Sequence, residues 1–117
     1  MLFRSGNLDE ALQLATMAAT RNPGNAGFYD TLGWVYLKKG LASPAVEQLR
    51  KAVAIDESNS KASGTAPNAG YRVRLGMALA QYGDKASARR EVENGLRNVS
   101  LLSEREQTDA RLVLASL

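Results

Sequence analysis

This 117-residue chain contains no cysteine and no histidine. Without cysteine there is no disulfide framework and no thiolate chemistry, and without histidine the commonest general base and metal ligand are absent. Aromatic residues make up only 6% of the chain, and the three prolines, Pro23, Pro44 and Pro67, all fall at or near the borders of segments. No apolar run approaches the roughly 20 residues that a membrane-spanning helix needs. The opening Met1-Leu2-Phe3-Arg4-Ser5-Gly6 lacks the apolar stretch of a signal peptide and reads as the tail of a helix, as expected of a fragment of a longer array. No serine lies in a Gly-x-Ser-x-Gly elbow, and no glycine-rich phosphate loop is present. A non-enzymatic protein with no cofactor and no metal is expected.

Charge is weak and uneven. Residues 1–59 hold six basic and six acidic side chains, residues 60–117 nine and six, which gives the net +3. The excess includes Arg72, Arg74, Arg89, Arg90 and Arg97, spread over two segments with few aromatics beside them. Such a pattern fits a solvated helix face better than a nucleic-acid surface.

The positive signal is self-similarity. Gly6 recurs as Gly40, Ala11 as Ala45, Leu12 as Val46, Ala18 as Ala52 and Asn25 as Asn59, always 34 residues on. Gly33, Gly40, Ala45 and Ala52 reappear as Gly76, Gly83, Ala88 and Gly95 after 43 residues, one period plus nine. A constant period of this size marks stacked supersecondary units.

Local signals divide the chain into helices. A remnant is expected over 1–5, then a helix over 8–21 capped by Asn7 with Glu10 in capping-box spacing and ended by Asn22-Pro23-Gly24. Helices over 26–39 and 43–56 follow, the first stopped by Gly40, the second carrying Pro44 in its first turn and a Glu47–Lys51 pair. Helices over 69–82, stopped by Gly83, and 85–98 form a third pair. Residues 58–68 are rich in turn formers and read as an inserted loop. Finally, Ser103 with Glu106 opens a helix over 103–117 whose Ala110, Val113, Leu114 and Leu117 form one apolar stripe. Such a helix would cap the last unit, with Glu104, Glu106 and Asp109 on its polar face. Close crossings are expected where Gly33 meets Ala45 and Ala52, with Leu32, Tyr36 and Leu49 filling the space around it, and where Gly76 meets Ala88 and Gly95.

Tyr29, Leu32, Gly33, Tyr36, Ala45, Leu49 and Ala52 in the middle unit, with Ala11, Ala18 and Pro23 before it and Leu75, Gly76, Leu79, Ala88 and Val92 after it, resemble the markers of the tetratricopeptide repeat. The resemblance implies an all-α solenoid in a single domain: a partial repeat 1–25, a repeat 26–59, the insertion 58–68, a repeat 69–102 and a capping helix 103–117. It also implies a concave groove for a peptide or partner helix, apolar or acidic in character. Position by position, the middle repeat offers Asp30, Thr31, Trp34, Leu37 and Lys38 to that groove. The third repeat offers Val73, Arg74, Met77, Ala80 and Gln81. The family's clamp for a terminal carboxylate is not expected, because Asp30 would repel one. The strings Asp30-Thr31-Leu32-Gly33-Trp34 and Tyr71-Arg72-Val73-Arg74-Leu75-Gly76-Met77-Ala78 further resemble bacterial repeat proteins of envelope and exopolysaccharide-export systems, which implies a bacterial, cytoplasmic or envelope-associated setting within a longer protein. The alternative is a structural role as a homodimer, formed through the incomplete first repeat at Leu2, Phe3, Leu8 and Leu12, with Leu14 and Ala15 beside them.

Overall fold

The computed structural model describes residues 5–117. Among them there is no strand, and six α-helices follow one another: α1 Ser5–Arg21, α2 Ala26–Lys38, α3 Ala42–Ser63, α4 Ala69–Tyr82, α5 Lys85–Leu96 and α6 Glu104–Ser116, with a single 3₁₀ turn at Val99–Leu101. Short connections turn the chain back on itself, so each helix packs on the one before it, and α6 packs on both α4 and α5. The result measures 36 × 35 × 25 Å.

Most ends are fixed by chemistry that the sequence announces. Asn25 accepts the Phe28 amide, Asn68 the Gly70 amide and Asp84 the Ser87 amide, each satisfying a donor that a helix start leaves free. Ser103 and Glu106 form the expected capping box. Gly40 and Gly83 have φ of +77° and +104°, the left-handed backbone that glycine adopts without a Cβ penalty.

Three expectations fail. The helix does not restart at Asn7: α1 is continuous from Ser5, and Asn7 lies inside it. The remnant around Leu2 and Phe3 lies outside the described residues. The loop 58–68 shrinks to 64–68, because α3 runs on to Ser63 and stops at Gly64, whose φ is +71°. The polar residues that read as turn formers have their side chains occupied there. Ser63 donates to the Asn59 carbonyl, buried Ser60 to the Thr65 carbonyl and Asn59 to the Gly24 carbonyl. The Glu47–Lys51 pair is also not found among the described ion pairs; the Lys51 ammonium instead lies 5.8 Å from the Tyr29 ring centre.

The core forms three apolar clusters along the stack. Ala15, Ala19 and Leu32 join α1 to α2; Ala45, Leu49, Val53, Leu75, Ala78, Leu79 and Ala88 join α3, α4 and α5; Ala69, Val73, Val92, Leu102 and Ala110 join α4 and α5 to α6. The glycine crossings are close as expected, with the Ala88 carbonyl 3.2 Å from where a Cβ on Gly76 would stand. A Cβ on Gly33 would stand 2.5 Å from Leu49 Cγ, and one on Gly76 would run into Val92. The branched residue between the two small ones therefore fills each crossing.

Candidate functional site

Alternate helices lie on one face. Counted from the capping residues Asn25, Asn68 and Ser103, helices α2, α4 and α6 are 13, 14 and 13 residues long and run in the same direction. A Cβ on Gly27 would lie 3.5 Å from the Tyr71 hydroxyl and Asp30 meets Arg74 one turn on, so α2 and α4 run the same way, while Gly70 is covered by Glu106 of α6. Side chains three or four apart share a helix face, so Arg74 and Met77 on α4, and Arg105 and Asp109 on α6, each point to one side of their helix, the side on which Trp34 of α2 joins them.

A cleft of about 320 Å³ opens in this face, walled by Trp34, Val73, Arg74, Met77, Ser103, Arg105, Glu106 and Asp109. On its floor, Arg74 Nε donates to Asp30 Oδ1 at 2.6 Å and Nη1 approaches Glu106 Oε2 at 3.3 Å. One guanidinium thus joins α4 to both α2 and α6. Burial raises the Asp30 carboxyl above its ordinary value of 3.8, and the Arg74 bond and charge offset only part of that. Burial works to lower the Arg74 pKa, but the bonds and charges of Asp30 and Glu106 outweigh it and the guanidinium is held more firmly protonated. The floor thus sets one guanidinium against two carboxylates, and no buried side-chain nitrogen or oxygen among the described residues lacks a hydrogen-bond partner. At the rim, Arg105 faces Asp109 at 3.5 Å, and the Lys38 ammonium lies 4.3 Å from the Trp34 ring centre.

Of the residues expected on this face, Trp34, Val73, Arg74 and Met77 come together in the cleft. Asp30 is buried beneath it. Its carboxylate is paired with the Arg74 guanidinium, which also holds Glu106. Leu37 and Ala80 pack instead against the central apolar cluster. Thr31 and Gln81 are exposed and away from the cleft, with the Thr31 hydroxyl bonded to the Gly27 carbonyl. The α6 wall escaped the sequence reading, which assigned Glu106 and Asp109 to a polar face turned to water. The signal that finds it is the spacing of the capping residues, 43 and then 35.

At the other end, Leu8 is half-buried and Leu12 packs on the Ala15, Ala19 and Leu32 cluster against α2, so much of the face expected to self-associate is already covered. Among the described residues no group of three or more metal-ligating side chains occurs, and no helix is long and apolar enough to cross a membrane. Compared with protein-family models and with curated proteins, the chain matches none.

Proposed function

We propose that the chain is a tetratricopeptide-type helical solenoid acting as a protein-interaction module, with α2, α4 and α6 as the inner helices of a groove that receives an apolar peptide segment or partner helix. The observation that carries this reading is the cleft walled by residues of α2, α4 and α6, in which the large apolar side chains of Trp34 and Met77 come together. Both are half-buried. Large apolar side chains beside a floor whose charged groups are already paired offer burial to a partner without breaking those pairs.

Trp34 is the single tryptophan of the chain, so its fluorescence reports on the site directly. Peptides selected from a displayed random library should perturb that fluorescence on binding. Met77→Asp should weaken the selected peptides by about tenfold or more, the range of an interface anchor, whereas Arg97→Ala on an exposed part of the C-cap of α5 should not. Selected binders that leave Trp34 unperturbed and tolerate Met77→Asp would overturn the reading.

A further inference from the structure

The outer face of α1, turned away from α2, carries a stripe that none of the packing described above uses. Glu10, Leu14, Met17 and Arg21 follow one another at intervals of four, three and four, so they stand in one line along the helix. All four are exposed, Leu14 at 61% and Met17 at 47%. The neighbouring Asp9 is taken by Lys39, but Glu10 and Arg21 have no ion-pair partner among the described residues. Beside the stripe, Leu12, Gln13, Thr16, Met17 and Tyr36 shape an apolar cleft of about 460 Å³.

The order of the four residues selects the occupant. An acid at one end, a base at the other and two apolar residues of similar size between them make a line that reads as its own complement when reversed. Laid antiparallel on a second α1, Glu10 falls opposite Arg21, Leu14 opposite Met17, Met17 opposite Leu14 and Arg21 opposite Glu10. A two-fold axis between residues 15 and 16 generates all four pairs, and such an isologous contact closes on itself. The same order of charges also suits the dipole of α1 itself. That contribution operates within one chain and makes no demand for apolar residues between the charges.

We propose that this chain forms a symmetric dimer through antiparallel pairing of its α1 helices, with Leu14 and Met17 at the centre and two Glu10–Arg21 ion pairs at the ends. The contact is independent of the groove reading, since none of its residues lies on α2, α4 or α6. It also lies on a different line of the helix from Leu8 and Leu12.

The test uses the 117-residue chain and sedimentation equilibrium. The wild type should show twice the 12.6 kDa mass of one chain. Leu14→Asp should raise the dissociation constant by about tenfold or more while circular dichroism shows unchanged helix content, because the residue is exposed. Glu10→Arg and Arg21→Glu should each weaken the dimer, since either alone places like charges opposite one another. Mixed in equal amounts, those two variants should recover association, because every facing pair is again of opposite sign. A single-chain mass for the wild type at about 100 μM, well above the range of a dimer of micromolar affinity, overturns the proposal. A dimer that is indifferent to Leu14→Asp, or variants that fail to complement on mixing, also overturns it.

Discussion

Arg74 ties α4 to α2 and α6 at once, and the consequences of losing it follow from what remains. In Arg74→Ala the Asp30 carboxylate, whose side chain is only 13% exposed, and Glu106 are left facing each other's charge without the cation between them. Stranding a mostly buried carboxylate costs about 2 to 3 kcal/mol, and chemical denaturation at neutral pH should show a loss of that order. The pH dependence has a definite sign. The folded Asp30 carboxyl already lies above its ordinary 3.8 through burial, and removing Arg74 takes away what offset it. Between the unfolded and folded values the native state then binds more protons than the unfolded one, so stability falls as pH rises through that window. The deficit of Arg74→Ala relative to wild type should therefore shrink when the pH is lowered from about 7 towards about 4. A deficit that grows on acidification would show that Asp30 is not the group left stranded. That Trp34 and Met77 share a face was legible, because each follows a Leu-Gly pair and that position sets the face it presents. The pairing of Asp30, one turn earlier, was not legible, because a sequence does not reveal that a guanidinium 44 positions away will bond to it.

At the scale of the element, what could be read depended on whether a residue's chemistry is local. The ends of α4 agree with expectation to the residue, since Gly83 takes the left-handed backbone and its amide bonds back to the Leu79 and Ala80 carbonyls. The end of α3 was misplaced by two turns because Ser58, Asn59, Ser60 and Ser63 are ambiguous. Such side chains stop a helix when they compete for their own backbone and extend it when they find acceptors elsewhere. Here Asn59 reaches back to Gly24, a contact across 35 positions that no local pattern encodes. The cap of α5 offers a clean test of a local device. Asp84 accepts the Ser87 amide at 3.1 Å, and that bond holds its carboxyl below 3.8. A carboxyl with a depressed folded value contributes stability that is complete above about pH 4 and is lost as pH falls through the folded value. Asn caps comparably but does not titrate, so Asp84→Asn should match or trail the wild type in melting temperature near neutral pH and gain on it below about pH 4. Parallel curves over the whole range would show that the ionised form of Asp84 contributes nothing to the cap.

Across the whole molecule, the 34-residue period correctly pairs α2 with α3 and α4 with α5, because small and branched residues at the crossings recur with it. The period alone misreads α6. Its capping residue stands 35 positions after Asn68, so counted from the caps Ala110 corresponds to Leu75 rather than Gly76. Ala110 is fully buried against the α4 and α5 cluster, while Arg111, which corresponds to Gly76, is exposed. With Val113 and Leu114 packed on the same cluster and Leu117 reaching the central one, α6 completes two of the three cores and supplies the second carboxylate of the Arg74 pair. A chain ending at Leu102 would leave Val73, Leu96 and part of the α4 surface in water. Losing the burial of several partly covered apolar side chains amounts to about 3 to 5 kcal/mol, a large share of what a small domain has in total. For a chain of this size each kcal/mol is worth about 4 to 8 °C, so the shortened chain should melt at least about 10 °C lower by circular dichroism. Val113→Asp in the full-length chain separates packing from mere length and should reproduce much of the drop. A shortened chain that melts with the wild type would show that α6 walls the cleft without supporting the cores beneath it.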